Sequence, residues 1–241
     1  MTRVSDTAAR VFLRPATVTA VVDYGDFRTI ELAGDRLIGR EWVPGDKIRI
    51  RAAPLALRTH TPISWDSATG RTRVLAYVHG HGPGSEWCAA VPVGARCHLR
   101  GPDRSVRLDR ISTPPVFVGD ETSFGLLLAW RALTPAGTPS ATPAAPAATL
   151  LEVADREAVR PTLSAYGIDD AALFERGPAG FGRALSESVV AAVRAHPGAS
   201  VVLTGRAQTI ATQRRALKAA GLADRPTIVK AYWDENRTGL D

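Results

Sequence analysis

The feature that most constrains this 241-residue chain is a change in the period of its hydrophobic pattern near residue 113. Before that point, apolar residues alternate with polar ones in short runs, a pattern typical of half-buried strands. After it, short β-branched runs alternate with longer stretches of helical spacing. We therefore expect an antiparallel β domain over residues 1–113 and a small parallel α/β domain over residues 114–241.

The strands of the first domain are bounded by glycine, aspartate and proline, which favour turns. They are ATVTAVVDY, FRTIELAG, DKIRIRA, TRVLAYVHG and ARCHLRG. Five or six strands within about 100 residues predict an antiparallel barrel or sandwich.

The second domain reads as strands that alternate with helices. The predicted strands are VFVG, TLLEV, ASVVLTG and TIVKAYW, and the predicted helices are DETSFGLLLAWRAL, FGRALSESVVAAVRAHPG and AQTIATQRRALKAAG. This order implies right-handed crossovers and a parallel sheet. Residues 134–149, TPAGTPSATPAAPAAT, are rich in proline, alanine and threonine, and predict an exposed, flexible loop within this domain.

Charge and composition exclude several classes of protein. The net charge of +6 resides in residues 1–113, where 17 Lys and Arg face 11 Asp and Glu. These charges are scattered along strands without interleaved aromatics, which favours a small anionic ligand over nucleic acid. No apolar run approaches the roughly 20 residues of a membrane span, and the N-terminus lacks an apolar signal core. We therefore expect a cytoplasmic protein without membrane insertion, in which Cys88 and Cys97 are reduced and partly buried.

One strand end carries residues suited to an anionic ligand with a ring system. In RTHT, the Arg58 guanidinium can make paired, charge-assisted bonds to a diphosphate. Thr61 can hydrogen-bond the edge of a ring, and His60 between them offers a flat face. The alternative is that Arg58 is an ordinary solvated surface residue.

A glycine-rich turn follows the next long strand. HGHGPGSEW contains Gly80, Gly82 and Gly84, whose backbone amides can approach a phosphate closely, and the Ser85 hydroxyl adds a donor. The spacing is not the dinucleotide fingerprint, because Gly84 falls one position early and no βαβ unit surrounds it. An ordinary loop built from turn residues is the alternative here, and a structural role for His79 is the alternative at the strand end.

Several short sequence segments, in the same order along nearly the whole chain, resemble motifs of the siderophore-interacting proteins. These are FAD-dependent ferric-siderophore reductases of the ferredoxin-reductase-like superfamily. WVPGDKIRI is similar to the family's Trp-x-Pro-Gly segment, and RTHTP to its Arg-x-Tyr-Thr-Pro flavin motif. VHGHGPGSEWCAAVPVGARCHLRGP resembles its glycine-rich segment with the following Gly-Pro. FVGDETSFGLLLAW is similar to its Gly-Asp-Glu-Thr-Ala helix start, and KAYW matches its Tyr-Trp.

The resemblance implies an N-terminal FAD-binding β-barrel followed by an NAD(P)H-binding-type domain. It implies that Arg58, with His60 and Thr61, holds FAD. The turn would wrap the diphosphate through His79, Gly82, Pro83, Gly84, Ser85 and Trp87. Asp120, Glu121, Thr122 and Ser123 would begin the helix beside the nicotinamide and the outer flavin; a capping box fits these residues equally well. NAD(P)H or ferredoxin would supply electrons, with no catalytic acid, catalytic base or metal ligand on the protein.

Anionic ferric siderophores would meet cationic residues of the second domain. Lys230, beside Trp233, is the first candidate, since we place it at the carboxyl end of the last strand. Arg237 and Lys47 are weaker candidates, and a solvated surface lysine is the alternative for Lys230.

The departures from the family pattern keep two other functions open. His60 stands where the family has a tyrosine, Gly84 where it has alanine, and YWDEN lacks the basic residue that often follows Tyr-Trp. An enzyme of specialised metabolism acting on an organic substrate is one alternative, and a non-catalytic ligand-binding protein is another.

Overall fold

Seven strands of the N-terminal part pair into one antiparallel sheet. The computed structural model describes residues 13–54, 56–80, 82–111, 113–133, 145–177 and 181–235. The strands are β1 (Arg14–Tyr24), β2 (Phe27–Ala33), β3 (Lys47–Ala53), β4 (Ala56–His60), β5 (Pro62–Asp66), β6 (Arg71–Tyr77) and β7 (Arg96–Asp103). Their order across the sheet is β4-β3-β7-β1-β2-β6-β5.

The two outermost strands of this sheet are consecutive in the chain. Thr61 alone separates the end of β4 from the start of β5. Because one residue spans only about 3.8 Å, the two edges of the sheet must meet there, so the sheet curls round on itself. The expected antiparallel β-barrel is confirmed.

The inside of the barrel is apolar because its strands alternate. In β3, Ile48 and Ile50 are fully buried while Arg49 between them is half-buried. One helix, α1 (Pro83–Ala90), adds Cys88 to the same core. The sequence pattern predicted a turn there, and that interpretation was wrong from Pro83 onward. Proline fixes φ at a helical value and lacks the amide that would be left unpaired, so it starts a helix well.

Both cysteines lie within this barrel. Cys88 and Cys97 are free and buried, as expected. Burial raises the pKa of the Cys88 thiol to about 12 and that of Cys97 to about 11. Both thiols therefore stay protonated, which makes them packing residues rather than nucleophiles.

The chain divides into two compact units between Ser105 and Val106, and the second contains a five-stranded parallel sheet. Its strands are β8 (Val116–Asp120), β9 (Ala148–Val153), β10 (Ala172–Glu175), β11 (Val201–Arg206) and β12 (Thr227–Trp233). Its helices are α2 (Phe124–Arg131), α3 (Arg156–Ala165), α4 (Phe181–Ala195) and α5 (Ala207–Ala219). The sheet order β10-β9-β8-β11-β12 reverses direction between β8 and β11.

Four strands and three helices of this unit were expected from the hydrophobic period, and the structure contains them. Two elements were missed. Helix α3 contains Pro161, which normally interrupts a helix, although Asp155 caps its first amides. Strand β10 has only four residues, too few to show a period.

The expected loop at 134–149 is shorter than predicted, since β9 already begins at Ala148. Residues 134–144 lie outside the described residues. Within the described part of the chain, no helix combines the length and apolarity needed to cross a bilayer.

Candidate functional site

Two of the predicted anion-binding pieces meet at the rim of the barrel. A Cβ atom added at Gly84 would lie 2.7 Å from Cγ and 3.1 Å from Cδ of Arg58. The stem of Arg58, at the middle of β4, therefore rests directly on the second residue of α1. The Arg58 side chain is exposed, and its Nη1 donates to the carbonyl oxygen of its neighbour Leu57 at 2.9 Å. Only a glycine at position 84 leaves room for this packing.

The N-terminus of α1 is open to an anion. Gly82 precedes the helix and offers no side chain to cap it. Uncapped N-terminal amides and the helix dipole favour negative charge. With Arg58 packed on Gly84, a cation and uncapped amides lie side by side, which is the arrangement that binds phosphate groups.

His60 ends β4 as a neutral ring. Its Nε2 atom is shielded from solvent and has no hydrogen-bond partner among the described residues. Burial lowers the pKa of His60 to about 4, so the imidazole carries no charge at neutral pH. An unpartnered buried nitrogen calls for a ligand or water, which fits a ring system placed against it.

The remaining rim residues differ in what they already contact. The exposed His79 stacks on Tyr77 with ring centroids 4.4 Å apart and planes tilted by 14°. Trp87 is partly buried and packs against the barrel core. Thr61 is half-buried in the link between β4 and β5. The structure brings Arg58 and Gly84 into contact, and direct contacts of His79, Ser85 and Trp87 with a ligand stay predictions.

The second predicted cluster lies where the strand order of the parallel sheet reverses. Open α/β sheets bind ligands at such a point, beside the carboxyl ends of the strands. Here β8 ends at Asp120, which is 1% exposed. Its carboxylate accepts hydrogen bonds from the Thr122 backbone amide at 2.9 Å and from the Arg206 backbone amide at 2.8 Å. It also accepts one from the Trp233 indole Nε1 at 2.7 Å.

Asp120 and Ser123 form a capping box on the short 3₁₀ turn Glu121–Ser123. The Ser123 hydroxyl accepts from the Asp120 amide at 3.2 Å and receives a hydrogen bond from Thr204 at 2.9 Å. The capping box, which the sequence analysis gave as the alternative to cofactor binding, is therefore present. Burial raises the pKa of Asp120, although its bonds from Thr122 and Trp233 act in the opposite direction. A role of Asp120, Thr122 and Ser123 in binding a cofactor stays a prediction.

Gly205 is required by the same close packing. Its φ is +97°, and a Cβ there would lie 2.4 Å from the Asp120 carboxyl carbon. No larger residue fits between β11 and Asp120. This glycine was not predicted as a site residue, although a Thr-Gly pair at the end of a buried strand is a signal that could have indicated it.

The three predicted substrate residues have different outcomes. Trp233 is held by Asp120, and the guanidinium carbons of Arg176 and Arg206 lie 5.2 Å and 5.8 Å from its ring centroid. Lys230 was expected at the carboxyl end of the last strand, and this is wrong, because β12 continues to Trp233. Lys230 pairs with Thr204 in mid-strand and is half-buried, because the chain stays hydrogen-bonded to β11 for three more residues. Arg237 lies outside the described residues.

A charged cluster beside Trp233 escaped the sequence analysis. Arg176 donates to the buried Glu121 at 2.6 Å and lies 3.6 Å from Glu152. Arg206 lies 3.9 Å from the same Glu152, whose carboxylate also accepts from Thr209 at 2.6 Å. These residues are far apart in the sequence, so no motif connects them. They place two cations and two carboxylates near the carboxyl ends of the strands, the edge at which open α/β sheets generally bind ligands. Among the described residues, no group of His, Cys, Asp and Glu side chains is arranged to hold a metal ion.

The chain matches known proteins in its fold and not in its sequence. No family model matches the sequence, and no curated protein matches it. Solved structures do match. A siderophore utilization protein from T. fusca is 21% identical, with a TM-score of 0.68 and 95% of both chains covered. The siderophore-interacting protein from A. baumannii is 14% identical, with a TM-score of 0.71 over 94% of this chain and 91% of that one.

A ferredoxin reductase adds a third comparison. The ferredoxin reductase in carbazole 1,9a-dioxygenase, solved in its FAD apo form, is 17% identical with a TM-score of 0.64. The match covers 92% of this chain and 66% of that chain. The chain has the ferredoxin-reductase-like fold. An antiparallel seven-stranded sheet followed by a parallel five-stranded sheet is its signature here, and siderophore-interacting proteins share this fold.

Proposed function

We propose that this chain is an FAD-dependent reductase that reduces ferric siderophores and releases Fe(II) for use in the cytoplasm. The observation that carries the proposal is the contact of Arg58 with Gly84 at the uncapped start of α1. Support also comes from the shared fold. Solved structures with this fold include siderophore-interacting proteins and a ferredoxin reductase that was solved in its FAD apo form.

The rim residues fit FAD in three separate ways. Arg58 supplies a fork of donors for the diphosphate, and the amides at the start of α1 supply further donors. The orphaned Nε2 of His60 would find a partner on the ring system. Thr61, in the link between β4 and β5, would donate its hydroxyl to the ring edge. FAD, when bound, supplies the conversion of a two-electron donor into single electrons.

The protein's own task in this chemistry is binding and orientation. The neutral His60 presents a ring face without adding charge beside the cofactor. The electron donor would be NAD(P)H or ferredoxin. Where it is NAD(P)H, the turn at Thr122 and Ser123 would set the position of the nicotinamide. Asp120 itself would act through this turn, because its carboxylate is already engaged by the protein.

The substrate end would recognise negative charge. Lys230 is half-buried in β12, and within the described part of the chain it forms no ion pair. A partly desolvated ammonium attracts an anion more strongly than a solvated one. The Trp233 ring, fixed by Asp120, would provide a flat apolar wall beside it, and Arg237 would add a further positive charge.

The deciding experiment is FAD titration of the purified full-length chain, together with the Arg58→Ala variant. We expect a yellow holoprotein, and a loss of about 1.5–3 kcal/mol in FAD binding for Arg58→Ala, the range for hydrogen bonds to charged groups. Arg73→Ala, an exposed arginine on β6, is the matched control and should bind normally. A chain that takes up no FAD would refute the proposal.

Activity is tested separately by trapping Fe(II) with a chromogenic chelator while NAD(P)H or reduced ferredoxin is consumed. A ferric-siderophore-dependent signal is expected, and Lys230→Ala should raise KM for an anionic ferric siderophore without changing flavin content. Unchanged kinetics in that variant would assign Lys230 to the surface.

A second function is favoured by His60, which stands where the family pattern has a tyrosine. A neutral imidazole whose shielded nitrogen has no partner among the described residues can also bind an organic substrate, so the fold could serve redox chemistry in specialised metabolism. FAD binding and NAD(P)H oxidation without dependence on any ferric siderophore would favour this function. FAD or ligand binding without any turnover would instead indicate a non-catalytic binding protein.

A further inference from the structure

The first unit contains a cavity that the proposed function does not use. Its volume is about 830 Å³, within the range of roughly 300–1,000 Å³ typical of small-molecule sites. It lies between the start of β1, the segment between β2 and β3, and the end of β7. Its charged lining comprises Arg14, Arg36, Arg40, Glu41, Arg100 and Asp103.

The cavity has an excess of positive charge. Four arginines face two carboxylates, and one of these carboxylates is already shared. Asp103 lies 3.4 Å from Arg100 and 3.5 Å from Arg49. Within the described part of the chain, Arg14, Arg36 and Arg40 form no ion pair. Three guanidinium groups that form no ion pair, in one concave site, leave room for an anionic ligand.

Arg14 shows how strongly this charge is concentrated. Its Nη1 donates to the Gly101 carbonyl at 3.0 Å, which fixes the side chain at the wall of the cavity. Burial and then the nearby charge of Arg40 lower the pKa of Arg14, and Arg100 and Arg36 lower it less. The carboxylate of Asp103 acts in the opposite direction. The four cations repel one another, and a bound anion would relieve that repulsion.

The same part of the cavity wall is closely packed. Gly101 has a φ of +112°, and a Cβ there would lie 2.7 Å from the carbonyl oxygen of Lys47. The end of β7 therefore lies tightly against the start of β3. This close packing positions the Gly101 carbonyl that accepts the hydrogen bond from Arg14.

We propose that this arginine pocket binds a small polyanion that carries two or more carboxylate or phosphate groups. Guanidinium forks match both kinds of oxyanion with paired hydrogen bonds. The pocket shares no residue with the Arg58 rim, and β3 separates β7 from β4 in the sheet order. The proposal therefore stands independently of FAD binding.

Calorimetric titration of the full-length chain with citrate and with inorganic pyrophosphate, both in the presence of saturating FAD, tests the pocket. Saturable binding is expected for at least one probe, and the tighter one identifies carboxylate or phosphate as the preferred group. The double variant R36S/R40S, in which both residues are exposed, should bind that probe about tenfold more weakly or worse.

Two control proteins make the result specific. R73S/R96S removes the same charge from exposed strand positions of the same unit and should change the affinity less than about twofold. Arg58→Ala should also bind the probe normally. Absence of saturable binding of either probe, or an equal loss in R73S/R96S, would overturn the proposal. Loss of binding in Arg58→Ala alone would also overturn it, because the probe would then occupy the rim.

Discussion

At the scale of single residues, Arg58 and Gly84 lie in direct contact at the rim of the barrel. The absence of a Cβ at Gly84 lets the arginine stem lie against the start of α1. In the proposed function, this contact brings the cation close to the helix amides. Neither residue indicates the contact when its position in the sequence is considered alone.

Gly84→Ala should displace the Arg58 side chain, because the new methyl would lie 2.7 Å from its Cγ. We expect weaker FAD binding, in the same direction as Arg58→Ala but smaller, measured by fluorescence titration. Gly182→Ala in α4 is the control, since a Cβ there meets nothing within 4 Å. FAD affinity equal to that of the parent would show that the arginine does not depend on this contact.

The imidazole of His60, whose Nε2 atom is shielded from solvent, gives a pH dependence with a defined sign. Its folded-state pKa of about 4 lies below the unfolded value of 6.5. The unfolded chain therefore takes up the proton first as the pH falls, so folding loses stability from about pH 6.5 down to about pH 4. Above that window His60 contributes no pH dependence.

Urea unfolding at several pH values, compared with His60→Phe, tests this behaviour. The variant should show a shallower loss of unfolding free energy between pH 6.5 and pH 4, because phenylalanine takes up no proton. Parallel curves for the two proteins would mean that the His60 ring is protonated normally in the folded state.

At the scale of elements, a hydrogen bond from the Trp233 side chain connects strand β12 to the centre of the parallel sheet. This strand lies at the edge of the sheet, next to β11 only. The Trp233 indole reaches past β11 to donate to Asp120 at the end of β8. The Tyr-Trp motif of the last strand thus anchors that strand, whatever further role it has towards a ligand.

Trp233→Phe should lower the free energy of unfolding by about 1–3 kcal/mol, because it removes a donor from a buried carboxylate. Trp42→Phe is the matched control, since the Trp42 Nε1 has no hydrogen-bond partner among the described residues, and its loss should be smaller. Chemical denaturation of both variants measures the difference. Equal losses would mean that ring packing, rather than the hydrogen bond, holds β12.

At the scale of the whole molecule, the two groups of candidate site residues lie in different units. Arg58, His60 and α1 belong to the first unit, and the Asp120 cluster to the second. The first unit also carries most of the positive charge excess of the sequence, with 15 Lys and Arg against 10 Asp and Glu in residues 1–105. This excess fits an anionic cofactor on the barrel and a second anion in the arginine pocket.

Hydrogen exchange with and without FAD tests this division. At about 100 times its Kd, a ligand stabilises a protein by about 2.7 kcal/mol. We expect the strongest added protection in peptides from 56–61 and 82–90, and little change in α3 and α4. The Arg58→Ala variant should lose this protection at the same FAD concentration. Protection centred on α3 or α4 would place the cofactor elsewhere.

The sequence by itself determined the two sheets, because hydrophobic period and turn residues act locally. The alternation of Ile48 and Ile50 with charged neighbours predicted a barrel strand, and the uninterrupted VFVG predicted a buried parallel one. Residue chemistry and the family resemblance also predicted that Arg58 and the glycine turn form one anion-binding unit. The structure brings Arg58 and Gly84 into contact, and anion binding there stays a prediction.

Only the tertiary structure decided which distant side chains meet. Asp120 and Trp233 are 113 positions apart, and the arginine pocket gathers cations from three separate segments. It also made His60 neutral and turned the residues after Pro83 into a helix. Such features depend on burial and on the pairing order of strands, which arise when the sheet closes and leave no periodic mark in the chain.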